Sequence, residues 1–334
     1  MQVPKAVGWT IAVVCVAALV VVAAISAHDS AGSADARSKL TVYAPAAPGG
    51  GWDLVAREAQ QAMRTDGIVK NVQVVNVPGA GGTIGLGQLS QKTGDGGALM
   101  VTGTVMMGGI VRNDSAVDLS QMTPIARVAE DFEVIAVPAN SELKSMADLV
   151  AAWKASPHTF PIGGGSAGGI DHMIAGLLAR SAGLPAADIR YAAYAGGGEL
   201  TGKLLSDAPG TPEVGISGFN DFRDLIEDGR LRALMVVAPE RLTGVESVPT
   251  AAEAGFPEVD LVNWRGFVAP PGLSEDQQGT LIEMVEEMVK TEGWQAAVTR
   301  NRWKENWLAG DRFHTFLVEE QKRITGILQD LGLA

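Results

Sequence analysis

The chain has 334 residues, long enough for two domains around a sizeable core. A formal net charge of -12 and the absence of any Lys/Arg run exclude nucleic acid as a partner, because phosphate binding requires basic patches. Glycine is abundant, at 41 residues, but clustered rather than periodic, which excludes a collagen-like or low-complexity chain.

Lys5 and the apolar run 11–27, ending in "ISA" at Ala27, read as an export signal over 1–27. The run is also at the lower limit of a membrane span, so an uncleaved N-terminal anchor is the alternative. Either way the rest of the chain is expected outside the cytoplasm. The only cysteine, Cys15, lies inside this run behind Val14, which is not the small residue a lipidation site needs. The exported part therefore has neither disulfides nor thiol chemistry. Residues 28–38 form a polar linker.

From Lys39 strands and helices alternate. Strands are expected at "KLTVYA" (39–44), "NVQVVNV" (71–77), "ALMVTG" (98–103), "FEVIAVP" (132–138), "TFPIG" (159–163), "IRYAAY" (189–194), "EVGIS" (213–217) and "LRALMVVA" (231–238). Helices fill the spaces between. Ser145/Asp148, Thr250/Glu253 and Ser274/Gln277 are capping boxes expected to open helices. The last helix, about 311–331, carries Phe313, Phe316, Leu317, Ile324, Ile327 and Leu328 on one face. This alternation means an α/β fold with mostly parallel sheets, whose ligands bind beyond the carboxyl ends of the strands.

The loops at those ends are unusual. They read "PGGGWD" (48–53), "PGAGGT" (78–83), "TGT" (102–104), "GGGSAGGID" (163–171), "YAGGGE" (194–199) and "SGF" (217–219). None contains Lys or Arg. Helix N-termini carry unpaired N–H groups and partial positive charge; glycine lets a ligand reach them, and Ser/Thr hydroxyls add donors. Several such ends converging on one cleft would grip a carboxylate with neutral groups. A single cluster is equally explained as a tight turn needing positive φ, and for Gly49–Gly51 both uses stay open. Asp53 follows as a residue that orients its own loop. Trp52 walls the cleft or packs into the core.

Enzyme motifs fail at essential positions. "GGSAG" (164–168) fits G-x-S-x-G with Ser166 as nucleophile, but His172 lies on the helix that follows and His158 and His314 lie elsewhere in the sequence. "GGELTGKL" (197–204) has Leu204 where a P-loop needs a hydroxyl. No His/Cys/Asp/Glu cluster has metal spacing, and no cofactor is implied. The loops support binding without chemistry.

The ordered set "YAPAAPGGGWDL", "NVPGAGGTIG", "GGGSAGGIDHMIAGLL", "YAAYAGGGE", "GRLRALMVVAPERL", "VPTAAEAGF" and "NWRGFVAPPGLS" resembles the extracytoplasmic solute receptors of tripartite tricarboxylate transporters, over about 39–334. The resemblance implies a two-domain periplasmic-binding-protein fold of type II-like form with the ligand cleft between the domains. Domain one would hold 39–138 plus 262–334, and domain two 139–261. The first ligand loop maps onto Gly49, Gly50, Gly51 and Asp53, the second onto Gly79, Ala80, Gly81 and Gly82. The domain-two loop maps onto Ser166, Ala167 and Gly168, and an aromatic-glycine turn onto Tyr194, Gly196 and Gly197. Trp52 stands where many relatives carry a hydroxyl, which disfavours a small amino-acid ligand. Thr102, Thr104 and Ser217 complete the hydroxyl set from the loops. Arg265 is the one candidate cation, facing either ligand or a structural carboxylate; His172 is divided between helix packing and the cleft. "YAGGGE" and "WRGF" resemble the tricarboxylate-binding branch and favour a citrate-like ligand. The implied partners are that carboxylate and the permease subunits, with the receptor a monomer. An extracytoplasmic sensor for a signalling partner would carry the same loops, and a serine hydrolase using Ser166 is the remaining alternative.

Overall fold

The structure, a computed structural model, describes residues 36–186, 189–206 and 208–334. The expected export signal and most of the linker lie outside the described residues.

Among the described residues eleven strands form two sheets. The first has the order β11-β4-β10-β3-β1-β2, with β1 Lys39–Ala44, β2 Asn71–Asn76, β3 Ala98–Gly103, β4 Thr123–Asp131, β10 Asn263–Ala269 and β11 Lys304–Ala309. The second has the order β7-β6-β8-β5-β9, with β5 Glu133–Pro138, β6 Ile162–Gly164, β7 Tyr191–Ala193, β8 Val214–Gly218 and β9 Leu231–Val237. The expectation of mostly parallel sheets is corrected. β1 pairs in parallel with β2 and β3, and β6 with β7 and β8. Every pairing of β10, β4, β11, β5 and β9 is antiparallel. Those are the strands that carry the chain between the sheets or return it late, where no right-handed crossover dictates direction.

Three further differences have local causes. Strand β5 belongs to the second sheet, so the chain crosses at Phe132 and not after residue 138. β4 and β11 went unread: β11, "KENWLA", is a half-exposed edge strand without apolar alternation. The box at Thr250 forms, with Thr250 N–H donating to Glu253 at 2.9 Å, but it opens a turn rather than a helix.

Among the described residues the ten α-helices are α1 Gly51–Thr65, α2 Thr83–Ser90, α3 Thr104–Arg112, α4 Met146–Ala155, α5 Ile170–Ser181, α6 Gly197–Leu204, α7 Phe219–Glu227, α8 Glu275–Val289, α9 Glu292–Arg300 and α10 Gly310–Asp330. The fully buried strands β3 and β10 lie at the centre of the first sheet. Helix α1 covers β1 and β2 with Val55, Ala56, Ala59, Ala62 and Met63, a stripe at helical spacing. Helix α10 lays Phe313, Leu317, Ile324 and Leu328 against the core. Trp264 of β10 meets Phe313 and Phe316 edge-on, at centroid distances of 5.8 and 5.4 Å. The tail beyond α10 reaches the second unit. Leu331 packs at Gly176 of α5, where a Cβ would meet it at 2.6 Å, and Arg112 donates to the Leu333 carbonyl.

Candidate ligand-binding cleft

Six helices, α1, α2, α3, α5, α6 and α7, start at Gly50, Gly82, Gly103, Gly169, Gly196 and Gly218, and none of these N-caps makes a side-chain hydrogen bond. Each follows a strand's carboxyl end. Serine or threonine side chains cap α4, α8 and α9 instead. A glycine cap leaves the first-turn N–H groups open.

The three opening glycines do different things. Gly49 has φ +83°, and a Cβ there would meet nothing within 4 Å, so it serves the turn. At Gly50 a Cβ would lie 3.2 Å from the Ala47 carbonyl. At Gly51 it would lie 2.9 Å from a terminal nitrogen of Arg265. What comes close to this main chain is therefore Arg265. Asp53 accepts from Gly49 N–H at 2.7 Å, Arg57 at 2.9 Å and Asn76 at 2.8 Å. Burial works against its charge, but these bonds hold its carboxyl below the usual range. Its acceptors are spent on the loop, and it lies outside the cavity wall.

A cavity of about 570 Å³ opens between the two sheets' carboxyl ends. The structure brings Gly49, Gly50, Gly51, Trp52, Gly79, Ala80, Gly81, Gly82, Ser166, Gly196, Gly197, Ser217 and Arg265 together around it. Trp52 is both wall and core, at 6% exposure. Thr102, Thr104, Ala167, Gly168 and Tyr194, also expected at the ligand, lie off the cavity wall. Thr102 is buried and its hydroxyl points to Met106 Sδ at 3.4 Å. The Thr104 hydroxyl donates to Val262 O at 2.7 Å and accepts from Trp264 N–H. Ala167 is exposed. Gly168, at φ +77°, seals the loop against α3; a Cβ on Gly108 would fall 2.0 Å from the Gly168 carbonyl. Tyr194 packs on the second unit's core.

The wall also carries four carboxyls that sequence reading missed: Asp131, Glu133, Asp171 and Asp221. Burial pushes all four up from the usual carboxylate range. Arg265 counters this at Asp131, donating to its Oδ2 at 3.3 Å. Glu133 is raised further by Asp171 and Asp131, and Asp171 reaches about 6. Asp171 accepts from Gly165 N–H at 2.7 Å, and Asp221 from the Ser217 hydroxyl at 2.6 Å. A signal existed: Glu133 stands inside an otherwise apolar run, and Asp171 closes the loop "GGGSAGGID".

His172 stacks on Tyr191 with ring centroids 4.1 Å apart, and its Nδ1 accepts from Gly168 N–H at 3.1 Å. Burial, then the nearby Arg112 charge, lowers it to about 4, so it is neutral at pH 7. It belongs to packing and does not line the wall with Ser166.

The model of the family described as "Tripartite tricarboxylate transporter family receptor" matches residues 55–333. Protein BugT of Bordetella pertussis is 26% identical over 314 residues, covering 93% of this chain and 94% of that protein. MatC from Rhodopseudomonas palustris, solved with bound malate, superposes with a TM-score of 0.75 at 22% identity, over 87% of this chain and 99% of its own. A second R. palustris protein, solved with adipate, gives 0.78 at 19% identity, over 88% and 97%. These solved structures share the two-domain periplasmic-binding fold.

Proposed function

The chain belongs to the tripartite tricarboxylate transporter receptor family, a family of periplasmic solute receptors and not of hydrolases, and from that premise we propose that its cleft takes a small carboxylate and presents it to the permease subunits of a tripartite transporter. The observation that carries the carboxylate reading is the ring of glycine-capped helix starts around one cavity. Open N–H groups and helix dipoles there attract an anion without a basic side chain. Ser166, on the wall between β6 and α5, adds a hydroxyl donor.

MatC with malate and the R. palustris protein with adipate support small carboxylates as the class. The loop motifs favour a citrate-like tricarboxylate within it. The four wall carboxyls against one arginine favour a ligand with fewer negative charges.

A thermal-shift series with malate, adipate and citrate tests the class, with ATP as control. A ligand at a hundredfold excess over Kd should add about 2.7 kcal/mol of stability. Ser166→Ala should weaken binding of whichever carboxylate stabilises the protein by about 1.5–3 kcal/mol. Stabilisation by ATP and by no carboxylate would overturn the reading. Ester turnover by the wild type that vanishes in Ser166→Ala would revive the hydrolase. Loss of that carboxylate's uptake in cells lacking the chain tests delivery to the permease.

A further inference from the structure

Four buried polar atoms on cavity-wall side chains have no hydrogen-bond partner: Trp52 Nε1, Arg265 Nε, Glu133 Oε2 and Asn263 Oδ1. Two are donors and two are acceptors. The donors lie on the side of the α1 start, where Arg265 meets Gly51. The acceptors lie where the two connecting strands β5 and β10 begin. Glu133 is 1% exposed and Asn263 3%. Asn263 Nδ2 donates to Glu133 Oε1 at 2.6 Å, which fixes the amide and leaves its carbonyl oxygen without a donor. An unpaired buried acceptor costs free energy unless a donor arrives.

The charges around Glu133 make the same demand. Asp131 faces it from β4, Asp171 from α5, Tyr191 from β7, and Arg265 from β10, with Asp221 of α7 beyond Asp171. Beside one arginine, burial holds these carboxyls up, and Asp171 and Glu133 hydrogen-bond to each other in the free protein; a cationic group arriving there would let them ionise. No group of three His, Cys, Asp or Glu among the described residues is arranged to hold a metal ion, and an organic cation with N–H groups is the partner that these acceptors fit.

We propose that the ligand is an amino-carboxylate. Its carboxylate lies on the glycine loops, and a protonated primary amine or guanidinium donates N–H bonds to Glu133 Oε2 and Asn263 Oδ1. This rests on the carboxylate reading and deepens it. It reverses the inference drawn from Trp52: a hydroxyl lost beside Asp53 removes a donor to the carboxylate and says nothing of Glu133 and Asn263.

Calorimetric titration with a matched series separates the possibilities: glutarate against glutamate, butyrate against 4-aminobutyrate, 4-aminobutyrate against its N-trimethyl analogue, with citrate and butylamine. The amines should bind about ten- to hundredfold tighter than their amine-free twins. The trimethyl analogue, with no N–H to donate, should lose that gain. Glu133→Gln should erase the preference, the amine losing its advantage over its amine-free twin. The preference should also fade as pH drops through about 6, where Asp171 takes up its proton. Citrate or glutarate binding tighter than any amine, or more tightly at low pH, would overturn the proposal and leave the carboxylate reading intact. Butylamine binding as well as 4-aminobutyrate would overturn the carboxylate reading and leave the acidic pole standing. Because the wild-type series decides the question, the answer does not depend on Glu133→Gln folding.

Discussion

Helices α4 and α5 belong to the same unit and begin in opposite ways. At α4, Ser145 accepts from Asp148 N–H at 3.2 Å, while Asp148 accepts from the Ser145 hydroxyl at 2.8 Å and from Lys144 N–H. The bond from Ser145, then that from Lys144, holds the exposed Asp148 below the usual carboxylate range. At α5 the cap is Gly169, and the first-turn acid, Asp171, is buried and pushed up to about 6. The outer start is closed by its own side chains and serves stability. The cleft start is left open, with a carboxyl held where its charge is disfavoured. The cleft is thus built by withholding from some helices what the others receive.

The largest expected effect tests the α5 side of that contrast. A carboxyl raised in the folded state stabilises below its unfolded value of about 4 and loses that stability as pH rises through its folded value. For Asp171 the shift from 3.8 to about 6 corresponds to up to about 3 kcal/mol. Denaturant unfolding of the ligand-free protein should therefore weaken between pH 4 and 6, and Asp171→Asn should make the profile less steep. A wild-type profile flat over that window would mean that α5 starts no differently from α4.

A smaller effect separates neighbours within one glycine cluster. Gly49→Ala puts a Cβ at φ +83° in open space and should cost about 1 kcal/mol of stability with affinity unchanged. Gly51→Ala puts it against the Arg265 guanidinium and should reduce ligand affinity more than stability. Equal stability losses with normal binding in both would return the whole cluster to turn chemistry.

The smallest effect belongs to an outer helix. Ser274 and Gln277 form a full capping box at α8, far from the cavity wall. Ser274→Ala should cost about 1 kcal/mol in unfolding and leave affinity untouched. A change in affinity would show that outer starts are not independent of the cleft.

The sequence made some of this legible and not the rest, for physical reasons. β1 and β3 were read to the residue, because a buried strand is a short apolar run with turn residues at both ends. The glycine loops were legible because their composition carries their chemistry. Strand direction was not, since alternation says which face is buried and nothing about which neighbour arrives late. Thr102 and Thr104 stand in the right loop, but their hydroxyls face inward to Met106 and Val262, a choice made by packing. Asp131, Glu133 and Asn263 escaped because they meet only when two distant segments, 131–133 and 263, are brought side by side.

Strand β10 sits between β4 and β3, so the six-stranded sheet is divided into two pieces until residues 263–269 take their place. The five-stranded sheet needs only 133–237, one uninterrupted stretch. During synthesis the second unit can therefore close while the first waits for the chain's last fifth. β1, β2 and β3 pair with one another locally, but β3 meets its central partner β10 across more than 150 residues, a slow contact to form. The order of the strands acts as a timer, leaving the inner edge of β3 open until the strand that closes it has been made.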